Sequence, residues 1–143
     1  MTIDSILNGI VIDHIPAGKS MDIYRYLKLD RAECSVALLR NVHSEKLGRK
    51  DIIKIDEIIP LNWDILGYLA PDCTVNVIRD GKTDEKHHLQ LPEQLVDVIS
   101  CKNPRCITTI EQELPHIFFL ADEEKEVYRC KYCEEKYSER QKA

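Results

Sequence analysis

No run of about 18 apolar residues occurs in the 143-residue chain, so the sequence encodes no helix able to cross a bilayer, and no membrane partner is expected. The opening segment MTIDSILNGIVIDHIPAGKS also lacks the basic leader and extended apolar stretch of a secretory signal, which leads to the expectation of a cytoplasmic protein. Surplus positive charge is missing as well. Lys and Arg number 20 against 25 Asp and Glu, a formal net charge of −5, whereas broad binding to nucleic acid needs clustered cations to displace counterions. A nucleic-acid partner is therefore not expected. Repeats and low-complexity tracts are absent. So is any paired nucleophile and base: His43, His87, His88 and His116 are scattered with no partnered carboxylate motif, and they read as polar surface. Nothing here reads as an active site, and the length excludes a large enzyme.

What is present is sulfur near the C-terminus. Cys101, Cys106, Cys130 and Cys133 form a C-x4-C and a C-x2-C across a 23-residue gap, the spacing of two short knuckles sharing one metal ion. Zn²⁺ prefers tetrahedral thiolate ligands, and four of them leave no open position for water, so the expectation is one structural Zn²⁺ per chain that staples the fold and performs no catalysis. The segment around it is too short to fold by burial alone, which links its shape to the metal. A thiol–disulfide role for Cys130 and Cys133 is a weaker rival, because a redox pair needs no second pair of cysteines. Spacing alone also admits an iron or iron–sulfur occupant. Lys102, Arg105, Arg129 and Lys131 flank the ligands, where they either offset the negative charge of the thiolates or stand simply as solvated basic residues. Cys34 and Cys73 lie among apolar, strand-forming residues and read as buried structural thiols.

Upstream, β-like and helix-like stretches alternate. Ile10-Val11-Ile12 begins a strand. Ser20 is placed to cap a helix whose Ile23, Tyr24 and Leu27 share a face. Cys34 to Val42 and Arg49 to Ile59 read as a hairpin across HSEKLG. Asn62 caps a short helix ending before Pro71; TVNVIR runs into an Asp80-Gly81 turn; and a last strand is expected over Lys86 to Leu91. The order predicts an α+β protein with a ferredoxin-like antiparallel sheet carrying two helices on one face. A small all-β, zinc-ribbon-like domain follows. The expected divisions are residues 1–91, a short amphipathic connector at 92–100 (PEQLVDVIS), and a metal domain at 101–143. Within the last, Phe118 and Phe119 are adjacent, so a strand would turn them to opposite faces and leave one seeking a partner.

On the strand after residue 49, Lys50, Ile52 and Lys54 share one side and Ile53 and Ile55 the other. The isoleucines belong to the core. Two ammonium groups about 13 Å apart then remain on the open sheet face, near where Asp13, His14, Asn76 and Lys86 could fall. Lysines suit flexible phosphates as point charges, and a carboxylate can accept from a base amino group. His14 beside Asp13 could do acid–base work, but with lysines nearby a ligand contact is the better reading. Charged residues on an open sheet are also the default for solvent exposure.

The segments GIVIDHIPAG, LGRKDIIKI, APDCTVNVI, QLPEQLVDVISCKNPRC and RCKYCEEKYS, in this order and over nearly the whole chain, resemble the regulatory chain of aspartate carbamoyltransferase. The resemblance implies a non-catalytic subunit of pyrimidine biosynthesis. Its N-terminal allosteric domain would bind CTP and ATP, with UTP acting alongside CTP, and its zinc domain would dock on the catalytic chain. It also implies a regulatory homodimer. Carried over by position, Asp13 matches the carboxylate that reads the base, and His14 an imidazole near the phosphates. Lys50 and Lys54 match lysines approaching ribose and phosphates, and Lys86 a triphosphate-binding lysine. Asn76 and Ile78 match the strand beside the nucleotide. Ile3, Asp4, Ser5 and Ile6 match N-terminal residues packed around the base and a second nucleotide. The alternative is a free-standing four-cysteine zinc-ribbon protein binding nucleic acid or transcription machinery, which the acidic balance disfavours.

Overall fold

The structure, a computed structural model, describes residues 6–137. The chain divides into two compact units, Met1–Gln90 and Leu91–Ala143. Among the described residues no helix is long and apolar enough to cross a membrane.

The first unit contains β1 (Gly9–Pro16), α1 (Ser20–Tyr26), a 3-10 turn (Leu29–Arg31), β2 (Val36–Ser44), β3 (Gly48–Ile55), α2 (Trp63–Leu69), β4 (Thr74–Arg79) and β5 (Lys82–His88). The strands form one antiparallel sheet in the order β2-β3-β1-β4-β5. This is the ferredoxin-like arrangement with an added edge strand. Ile10, Ile12, Ile53, Ile55 and Val75 bury one sheet face against Ile23 of α1 and Leu66 of α2, so both helices cover the same side. Gly9 is needed where β1 begins, since a Cβ there would meet the Ile55 carbonyl oxygen at 2.2 Å and Ile6 at 2.7 Å. Asn62 caps α2 by accepting from the Ile65 N–H at 3.1 Å.

Three local expectations are corrected. Ser20 is the first helical residue and Lys19 the cap; the serine hydroxyl is drawn instead to a buried carboxylate on β3. The third strand stops at Ile55, ahead of the polar Asp56-Glu57 pair. β5 starts at Lys82, immediately after the turn, because Asp80 and Gly81 both adopt positive φ, at 53° and 77°, and close a two-residue hairpin.

Pairing in the sheet slips at three places, one of them between β4 and β5 at Val77 and Ile78, and the two beside β3 shape the open face. Pairing of β1 with β3 slips between Ile12 and Ile15, and pairing of β2 with β3 slips between Leu39 and Val42. Each bulge contains a non-glycine residue at φ 59°, His14 in β1 and Asn41 in β2. The extra residue in β1 lets Ile12 and Ile15 both reach the core while Asp13 and His14 both turn away from it.

The second unit is a three-stranded antiparallel sheet in the order β6-β7-β8, with β6 (Gln94–Val96), β7 (Ile117–Asp122) and β8 (Val127–Cys130), plus a single-turn helix α3 (Ile107–Ile110). The segment expected to be a connector therefore supplies a strand. An isolated β7–β8 ribbon would be marginal, and β6 adds a third strand whose Leu95 is fully buried opposite Phe118. Phe118 faces inward, edge-on to Tyr137 at 5.8 Å, while Phe119 is exposed.

Candidate metal centre and ligand face

The second unit gathers its four cysteines at one point. The Sγ atoms of Cys101, Cys106, Cys130 and Cys133 all lie within 4.8 Å of one another. Cys101 and Cys133 are 3.6 Å apart, and Cys106 and Cys130 are 3.7 Å apart. A tetrahedral ion with metal–sulfur bonds of about 2.3 Å requires sulfur separations of about 3.8 Å, so the donor set fits a closed four-thiolate site. No disulfide joins them; all are free thiols. Tight backbone turns build both knuckles. Cys106 N–H donates to the Asn103 carbonyl at 3.0 Å, and Glu134 N–H donates to the Cys130 carbonyl at 2.8 Å.

Two supporting residues escape a reading by cysteine spacing. Thr108 is buried with its hydroxyl 3.0 Å from the Cys106 sulfur. Burial pushes the Cys106 thiol up, but Thr108 and the neighbouring thiols outweigh it and lower this cysteine to about 7. Burial raises Cys101 and Cys130 instead. His116 Nδ1 accepts from the Cys101 N–H at 3.4 Å. The remaining cysteines belong to the first unit. Cys73 is buried, and burial pushes its thiol up to about 12. Cys34 is only half-buried, short of the expectation, and burial together with Glu57 raises it.

On the first unit, the face away from the helices collects the basic residues. Asp51, Ile53 and Ile55 of β3 are buried, which turns Lys50, Ile52 and Lys54 to the other side. Register then aligns one row across four strands: Lys54 pairs with Val11, Val11 with Asn76, and Asn76 with Lys86. Strand spacing of about 4.8 Å separates the two lysines of that row by about 14 Å. Ile78 follows Asn76 on the same side of β4. Lys50 reaches Asp13 at 3.0 Å. Asp13 also accepts the His14 N–H at 2.6 Å, and the His14 ring lies 3.1 Å from the Thr74 hydroxyl. Ile6 is buried beside Gly9. Ile3, Asp4 and Ser5 lie outside the described residues. Val11 and Thr74 are additions that only strand register reveals.

With both arrangements in view, comparison with known proteins is decisive. Residues 1–90 match the family model for the aspartate carbamoyltransferase regulatory chain, allosteric domain, and residues 93–143 match that for the metal binding domain of the same chain. The chain belongs to the aspartate carbamoyltransferase regulatory-chain family. It is 54% identical over 138 residues to the regulatory chain of Clostridium tetani, covering 96% of both. A Clostridium botulinum regulatory chain is 52% identical, covering 96% of this chain and 94% of its own. That of Bifidobacterium longum is 48% identical over 135 residues, 94% and 97% covered. As a regulatory chain of aspartate carbamoyltransferase it is a non-catalytic subunit with an allosteric and a metal-binding domain. The free-standing zinc-ribbon alternative loses its basis, since both units match this one family.

Proposed function

We propose that the open face of the first sheet is an effector site for nucleoside triphosphates, CTP and ATP with UTP alongside CTP, and that its occupancy tunes a catalytic chain docked on the metal-binding unit. The observation that supports this is the register row Lys54, Val11, Asn76, Lys86 with the Lys50–Asp13 pair beside it. Lys50, Lys54 and Lys86 supply point charges for a triphosphate, Asp13 an acceptor for a base amino group, and His14 a contact near the phosphates. Asn76 and Ile78 line the strand beside the nucleotide. Ile6 packs beside the base.

Zn²⁺ is the ion that the four cysteines suit best, and when bound it supplies a closed tetrahedral staple with no open coordination position. The chain acts in the cytoplasm as a regulatory homodimer, and the exposed Phe119 belongs to a surface that meets another chain. Effector coupling in such systems amounts to about 1–3 kcal/mol, roughly 5–150-fold in affinity. Calorimetric titration of the full-length chain with CTP and ATP tests the site. Lys86→Ala should weaken binding about tenfold or more, the scale of a lost charged hydrogen bond. Unchanged affinity would remove Lys86 from the site.

A further inference from the structure

Asp51 carries a negative charge where only apolar side chains are expected. It is fully buried on the helix side of β3, and four donors converge on it: the Gly18 N–H at 3.0 Å, the Ser20 N–H at 3.2 Å, the Ser20 hydroxyl at 2.5 Å and the Asn41 N–H at 3.0 Å. These donors come from separate places. Gly18 and Ser20 belong to the turn that carries β1 into α1, and Asn41 is the left-handed residue of the β2 bulge.

The position of Asp51 along β3 is as telling as its bonds. Both neighbouring strands bulge beside it, β1 between Ile12 and Ile15 and β2 between Leu39 and Val42. Asp51 itself pairs with Ile15, the first residue after the β1 bulge. Bulges re-aim side chains and leave ladder positions unpaired, so each needs a fixed anchor to hold one conformation. The same carboxylate holds the Asn41 amide inside the β2 bulge and the Gly18–Ser20 turn that follows the β1 bulge. The β1 bulge is the one that turns Asp13 and His14 to the open face. Lys50, next to Asp51, points to that face and holds Asp13 at 3.0 Å.

We infer that Asp51 is a positioning residue that clamps the β2 bulge to the turn following the β1 bulge, and that it passes a change at Lys50 and Asp13 on the open face to the start of α1 on the covered face. Neighbouring residues on a strand point to opposite sides, so a shift of β3 when Lys50 turns from Asp13 to a ligand phosphate moves Asp51 against its donors. The carboxylate touches no ligand. It acts through the backbone N–H groups of Gly18, Ser20 and Asn41 and through the Ser20 hydroxyl. The inference rests on the effector-site reading above for the ligand that triggers it.

Amide hydrogen exchange on the full-length metal-loaded chain, with CTP as probe, tests both parts. In the unaltered chain, CTP should change protection at the Gly18, Ser20 and Asn41 amides. In Asp51→Asn, which keeps the shape but loses the charge, that response should vanish, and CTP affinity should fall about fivefold or more, the lower end for a coupling between sites. Affinity is to be read well below the unfolding temperature, where a merely structural role would lower stability and leave binding by the folded fraction intact. Ser20→Ala removes a single donor and should give an intermediate response. If the unaltered chain binds CTP while Asp51→Asn binds equally well, with the three amides responding as before, the clamp is refuted and the effector site stands. If the unaltered chain binds no CTP, the effector-site reading fails and the clamp as stated falls with it.

Discussion

At the scale of single residues, Asp51 shows how a buried charge is retained. Burial alone pushes its carboxyl up, but Ser20, Asn41 and Gly18 donate to the ionised form and bring it below its ordinary value of 3.8. A group depressed in the folded state stabilises the fold above its unfolded value, and that contribution is lost as pH falls through the folded value. Asp51→Asn should therefore cost about 1.5–3 kcal/mol at pH 7, the range for hydrogen bonds to a charged group. The gap from the unaltered protein should narrow in acid, below about pH 3.8. Trp63, the one tryptophan of the chain, lies in the first unit and reports its urea unfolding by fluorescence. An undiminished gap at pH 3 would show that the donors do not recognise the charge. The sequence exposed the alternation that sends Lys50 and Lys54 to one face, because a period of two needs only the strand itself. It concealed the partners of Asp51, because bulges arise from pairing between strands and leave no mark in either strand alone. Ser20 illustrates the same limit: a residue suited to cap a helix serves a carboxylate 31 positions away.

At the scale of elements, β6 decides whether the second unit holds together. PEQLVDVIS offers apolar residues at Leu95 and Ile99, a spacing that suits an amphipathic connector as well as a strand. Tertiary context settles the choice, since the exposed edge of β7 would otherwise lack a partner and Phe118 would be uncovered. The four cysteines were legible because metal geometry fixes their spacing, whereas Thr108 and His116 depend on how α3 and β7 fold back on the knuckles. Leu95 is fully buried opposite Phe118, so Leu95→Ala should destabilise the unit by about 2–5 kcal/mol. Metal binding and folding are linked here, and the variant should release its ion to a competing chelator more readily than the unaltered chain. A dye-based metal-release assay measures this. Equal retention would mean that the knuckles fold without β6.

At the scale of the whole molecule, each unit closes its own hydrogen-bond ladders. Among the described residues the five strands of the first pair with one another, and the three of the second pair with one another and, at Arg129, with Lys136 of the same unit. The first has an apolar core of its own spanning sheet and helices, whereas the second buries little beyond Leu95, Ile99, Phe118, Tyr128 and its cysteines and is small enough to need the ion. Stability is thus divided: burial sustains one unit and coordination the other. Stripping the metal with a thiol-compatible chelator should collapse the second unit and release a bound catalytic chain from the complex. The first unit should meanwhile keep its Trp63 emission and its affinity for CTP. Size-exclusion co-elution follows the partner, and fluorescence with calorimetry follows the first unit. A Trp63 change in step with metal loss would show that the two units fold as one, and retained co-elution after metal removal would show that docking does not depend on the four-thiolate knot.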